Sequence, residues 1–277
     1  MSLLRGYADD KPLLSWLHDS IWPAENRHLS ERFVRDGTLL GAAEMLRGGI
    51  TCFGDMYFFP AAAAQAALRL GMRAALGIVT FEQPSPYASD ADDYLDKGLA
   101  VRDHLRDESR LSFYLAPHAP YTVSDRTFER VVLLAAQLDL PIQLHLHETR
   151  GEIEDSLRDY GMRPLRRLQK LGVPGANFIA AHGVHLLPDE IALLAEQGAS
   201  IAHCPTSNMK LASGIAPIAA AVKQGVNIGL GTDGAASNNR LDLFQEMRHA
   251  ALLGKAAAMD ATVLEAHTIL RMATLNR

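Results

Sequence analysis

Cysteine is scarce in this chain: Cys52 and Cys204 are the two among 277 residues. A disulfide framework is therefore excluded, and a reducing, cytoplasmic setting is expected. No apolar run reaches the roughly 18 residues that a membrane span needs. The first residues, Met1-Ser-Leu-Leu-Arg5, are followed by Asp9 and Asp10, too much charge for a signal peptide. Positive charge is not in surplus either. Lys and Arg number 27 against 32 Asp and Glu, a net charge of -5, and no dense basic block occurs. Binding of nucleic acid through a basic face is not expected. Nor does any Ser/Pro-rich linker or low-complexity tract divide the chain. A single domain over residues 1–277 is the expectation.

What the chain does contain is a repeated alternation. Short apolar runs occur at Gly49–Met56, Arg73–Val79, Leu111–His118, Pro141–Glu148, Asn177–Gly183, Ser200–Pro205 and Val226–Asp233. Between and after them lie helical stretches: Phe59–Leu70, Asp125–Leu138, Arg150–Leu171, Asp189–Gln197, Gly214–Gln224, Leu241–Leu253 and Asp260–Leu275. Gly172, Gly198 and Gly225 stand where helices should stop. Runs that are apolar on both faces and alternate with helices imply a parallel sheet with covered faces. Seven such units are one short of a closed (β/α)8 barrel, and an open doubly wound sheet also accommodates seven.

The placement of the polar residues favours the barrel. The chain holds 11 His, and several stand with carboxylates at the ends of the apolar runs. His118 ends one run, His145-Leu-His147-Glu148 another, and His182, His203 and Asp233 end three more. Strand ends of a closed parallel barrel share one rim, where a ring of His, Glu and Asp can support a metal-assisted site. Alternation along a strand puts His145 and His147 on one face, with Glu148 opposite or just past the strand. The plainer alternative turns one of the two histidines into the core against a helix. Asp233, followed by Gly234, either caps a helix or binds a cation. His182 is the better site candidate beside His185, which suits a structural role. His203 either anchors a turn or serves the site. Cys204 reads as a small buried residue.

At this point the chain resembles the amidohydrolase superfamily, and within it the 5-methylthioadenosine/S-adenosylhomocysteine deaminases, relatives of triazine hydrolases and guanine deaminases. The resemblance rests on Leu3-Leu-Arg-Gly-Tyr-Ala-Asp-Asp10, Ile21-Trp-Pro-Ala-Glu25, Gly49-Ile-Thr-Cys-Phe-Gly-Asp-Met-Tyr57, Pro117-His-Ala-Pro-Tyr121, His145-Leu-His-Glu-Thr149, Ala181-His-Gly-Val-His185, His203-Cys-Pro-Thr-Ser-Asn-Met-Lys-Leu211 and Gly231-Thr-Asp-Gly234. The fold it implies is an α/β, (β/α)8 TIM-type barrel of the metal-dependent hydrolase kind. The chemistry it implies is hydrolytic deamination of adenosine-type nucleosides.

Carried over position by position, the resemblance makes His145 and Asp233 ligands of one divalent metal, zinc or iron. Glu148, Asp233 and His182 become the catalytic groups. Asp233 takes a proton from the attacking water, Glu148 gives one to the ring nitrogen, and His182 holds the attacking oxygen. Glu25 is expected on the ribose hydroxyls and His118 on the substrate, with Glu148 and Asp233 also touching it. Trp16 either walls the pocket or packs in the core. The partner is a small nucleoside, and assembly of identical subunits occurs among relatives. The family's His-x-His metal pair has no counterpart before residue 145, so the first strand and the small flanking β-domain are expected to be missing here. The rival expectations are a guanine- or triazine-type hydrolase and a non-catalytic barrel fragment.

Overall fold

The computed structural model of the chain describes residues 1–276. Arg277, the last residue of the expected domain, lies outside the described residues. Seven strands form where the apolar runs stand: β1 (Cys52–Asp55), β2 (Arg73–Thr80), β3 (Leu111–Pro117), β4 (Ile142–Leu146), β5 (Phe178–His182), β6 (Ser200–His203) and β7 (Asn227–Leu230). The principal helices are α1 (Glu31–Arg47), α2 (Pro60–Arg69), α3 (Ala91–Leu105), α4 (Asp125–Leu138), α5 (Arg150–Tyr160), α6 (Pro164–Lys170), α7 (Pro188–Glu196), α8 (Pro205–Lys210), α9 (Ile218–Lys223), α10 (Leu243–Ala258) and α11 (Ala266–Thr274). Among the described residues, no helix is long and apolar enough to cross a membrane.

Two compact units make up the chain. The first comprises Met1–Gln143 with Gly234–Leu241. Its strands are neighbours in chain order and pair in parallel, with Asp55 opposite Leu76 and Thr80 opposite Pro117. Side chains of β2 show why no alternation is visible there: Leu76, Ile78 and Val79 are all buried, as a strand covered on both faces requires. Ser30, Asp90 and Ser124 cap α1, α3 and α4 by accepting the backbone N–H three residues on.

The second unit comprises Leu144–Asp233 with Asp242–Arg277. It carries the end of β4 and then β5, β6 and β7, again neighbours in chain order. Ile179 lies opposite Ser200 and His203 opposite Leu230, both pairings parallel. Leu144, Leu146, Phe178, Ile201 and Ile228 form the buried side of these strands.

The expected helix at 150–171 is two helices. Gly161 takes φ +67° and donates its N–H to Leu157 O, while Pro164 opens the next helix. Both are ordinary stop and start signals. The last two expected helices are shifted rather than absent, at Leu243–Ala258 and Ala266–Thr274. Gly214 has φ +129°, and the helix expected from there begins only at Ile218.

Candidate active site

The second unit gathers four of the expected residues around the ends of β4 and β5. His145 lies on β4 next to two fully buried leucines, on the less buried side of the strand. Its ring stacks on that of His182, with centroids 5.4 Å apart and planes 20° from parallel. His182 ends β5 with φ +71°, a conformation that costs a non-glycine residue strain and is often kept at functional sites. Its Nδ1 is 2.8 Å from Asn208 Oδ1, and its Nε2 is 3.8 Å from Glu148 Oε2. Glu148 is only 4% exposed. Burial pushes its carboxyl up to about 7; His145 opposes the rise and Asp233 adds to it. Asp233, also at positive φ, accepts a 2.7 Å hydrogen bond from Ser207 Oγ.

His147 does not share a face with His145. It follows the strand with φ +53°, which breaks the two-residue alternation on which that expectation rested. Its ring is fully buried, accepts the Leu165 N–H at 3.1 Å on Nε2, and brings Nδ1 to 3.4 Å from Glu190. Glu190 in turn is gripped by Arg163 at 2.8 and 2.9 Å. His147 is therefore a core residue that ties the end of β4 to α6 and α7. His185 is structural as well, with Nε2 2.9 Å from Ser213 O. His203 is buried, and burial together with nearby His182 pushes it down to about 3, so it stays neutral. Burial, joined by Asp233, Glu246 and Glu148, drives the Cys204 thiol well upward, which makes it inert as a nucleophile.

Three supporting residues were not singled out from the sequence. Glu152 accepts the backbone N–H of His147 on one oxygen and that of Glu148 on the other, each at 2.8 Å. The Thr149-x-x-Glu152 spacing is a capping signature, and Thr149 does cap α5. Here the glutamate reaches further back, to the turn before the helix. Ser207 and Asn208, neighbours on α8, hold Asp233 and His182 respectively. Their segment belongs to the motif at 203–211, but nothing local in it reveals those long-range partners.

The first unit holds the other expected residues. Glu25 lies on the helical turn Trp22–His28 and is 6% exposed. Tyr57 donates its hydroxyl to Glu25 Oε1 at 2.6 Å. Burial raises the Glu25 carboxyl, and the Tyr57 bond counters it. His118, just past β3, stacks on Phe81 at 4.4 Å and places Nδ1 3.0 Å from Thr122 Oγ1. Trp16 is 2% exposed, and its Nε1 has no hydrogen-bond partner among the described residues.

Donor chemistry decides how far a metal fits. An imidazole nitrogen and a carboxylate oxygen suit a divalent ion of the zinc or iron type. Among the described residues, however, no group of three or more His, Cys, Asp or Glu is placed to hold one. His145 and Asp233 are right in kind for such an ion.

A model of the amidohydrolase family matches residues 1–277. The chain belongs to the amidohydrolase family. It is 48% identical over 276 residues to the 5-methylthioadenosine/S-adenosylhomocysteine deaminase of Saccharophagus degradans, covering 100% of this chain and 62% of that protein. The chain thus spans less than two thirds of the length of that relative. Among solved structures, an adenosine deaminase from Xanthomonas campestris with bound zinc superposes with a TM-score of 0.97 at 50% identity, over 99% of this chain and 63% of that one. An atrazine chlorohydrolase from Arthrobacter aurescens, complexed with zinc, matches with a TM-score of 0.91 at 25% identity, over 99% and 67%. These likenesses bear out the expected fold class, an α/β fold of the metal-dependent hydrolase barrel kind.

Proposed function

We propose that this chain carries the chemistry of a metal-dependent hydrolytic deaminase. Its reaction converts the adenine ring of 5'-methylthioadenosine, S-adenosylhomocysteine or adenosine to the hypoxanthine form, with water consumed and ammonia released. The single observation that carries the reading is Glu148. It is a buried carboxyl whose pKa is raised to about 7, beside His182, on a residue whose backbone N–H is donated to Glu152. A carboxyl poised near neutrality can give and take a proton within one turnover.

In this reading Glu148 delivers its proton to the ring nitrogen next to the carbon under attack. Asp233 accepts a proton from the incoming water, in the orientation that Ser207 supports. His182 hydrogen-bonds the attacking oxygen, with its ring fixed by Asn208 and by stacking on His145. A divalent metal, zinc or iron, held in part by His145 and Asp233, supplies Lewis-acid polarisation when bound. Glu25 takes the ribose hydroxyls and His118 takes the substrate, while Trp16 serves packing. The names of the relatives support a nucleoside over a bare heterocycle.

Ammonia release from zinc-supplemented protein tests this. The expected order is adenosine-type nucleosides well above guanine or a chlorotriazine. A preference for either heterocycle would replace the reading with the corresponding hydrolase. The second reading is a non-catalytic barrel. That reading is supported if no substrate yields ammonia and zinc does not bind. It is refuted by about one zinc per chain together with turnover.

A further inference from the structure

We propose that Glu152 is the positioning residue for Glu148: its carboxylate fixes the backbone turn that aims Glu148 at the reacting ring. The inference rests on the deaminase reading for its effect on rate, though not for its geometry. Strand β4 ends at Leu146, and three residues separate it from the start of α5 at Arg150. The chain leaves the strand through His147 at φ +53°, a conformation that an ordinary residue holds only when its surroundings impose it. Glu152 imposes it. One oxygen accepts the His147 N–H and the other the Glu148 N–H, both at 2.8 Å, and the side chain is 5% exposed. Both donors are backbone groups and both acceptors belong to one carboxylate, so the two amides are held at a fixed separation. Two bonds to one planar carboxyl group fix the amides in direction as well as in distance.

Three further contacts locate the frame that Glu152 completes. Thr149 Oγ1 accepts the Glu152 N–H at 3.3 Å, His185 donates its N–H to His147 O at 2.9 Å, and the His147 ring is locked between Leu165 N–H and Glu190. None of them touches the Glu148 amide. The bond from Glu152 is the contact on that amide, and the Glu148 side chain begins at the next atom. Burial pushes Glu152 up to about 8, while the two backbone donors pull the other way.

The test is Glu152→Gln in the zinc-supplemented protein. The amide must present an NH2 group to one of the two backbone donors, which breaks that bond without emptying the site. The expected result is KM within about twofold of the parent and kcat down roughly 100-fold, the scale of a displacement near 1 Å in a reacting group. A urea titration confirms that the variant is folded during the assay. In 1H–15N spectra the parent should show the Glu148 amide proton shifted downfield by its carboxylate acceptor, and the variant should lose that shift. An unchanged kcat in folded variant overturns the proposal. So does a parent Glu148 amide with no downfield shift, a result available even if the variant fails to fold. A parent that shows the shift but deaminates nothing overturns the deaminase reading and the rate effect, and leaves the anchoring of the turn standing.

Discussion

Replacing Glu148 by Gln should stabilise the metal-free protein at alkaline pH. The carboxyl is raised from an ordinary 4.5 to about 7, chiefly by burial, with His145 opposing and Asp233 reinforcing. Between those two values the folded chain keeps a proton that the unfolded chain has released. The stabilising contribution is thus fully present below about pH 4.5 and is lost as pH rises through about 7. At about 1.4 kcal/mol for each pH unit between the two values, the loss is roughly 3 kcal/mol. A glutamine of the same shape has no proton to lose. Urea unfolding in the presence of a chelator, at about pH 5 and about pH 9, should therefore show the gap between variant and parent widening by roughly 3 kcal/mol in favour of the variant. The same substitution should cost about 10²–10⁴-fold in deamination. A gap that does not change with pH would refute the reasoning, because it would mean that Glu148 is ionised in the folded protein as freely as in the unfolded one.

Other perturbations test separate parts of the account. Arg163→Met leaves Glu190 buried without its guanidinium partner, and should cost about 3–5 kcal/mol by chemical denaturation. Adding Glu190→Gln to that variant should recover most of the loss. Gly98→Ala on α3 drives a methyl into Ile78 of β2. Overpacking of about 1–3 kcal/mol should outweigh the roughly 1 kcal/mol gained in helix propensity, lowering the thermal midpoint. Tyr57→Phe removes the hydroxyl bound to Glu25. It should raise KM for 5'-methylthioadenosine by roughly 10-fold, the scale of one hydrogen bond to a charged group, and leave KM for free adenine unchanged. Equal effects on both would detach Glu25 from the ribose.

Much of this architecture is written plainly in the chain. Strands such as Arg73–Thr80 are legible because a strand covered on both faces must be apolar throughout, and glycines at 172, 198 and 225, all at positive φ, mark where helices end. His145, Glu148, His182 and Asp233 are legible because they stand at the ends of apolar runs. The break between α5 and α6 was also visible, in Gly161 and Pro164, but the apolar spacing that continues through Leu165 and Leu168 masks it. The orientation of His147 was not legible. Alternation predicts side-chain direction only while the backbone stays extended, and a single left-handed residue reverses it. Ser207 and Asn208 were missed for a different reason. Their roles are set by partners that only the fold brings close, 26 residues away in the cases of Asp233 and His182.

The most direct test follows 5'-methylthioadenosine with zinc present, in the parent protein and in Asp233→Asn. The parent should convert it to the hypoxanthine nucleoside with one ammonia per nucleoside consumed, and the variant should lose both conversion and zinc. Parent protein that binds zinc yet leaves the nucleoside untouched, or an Asp233→Asn variant as active as the parent, would contradict the account.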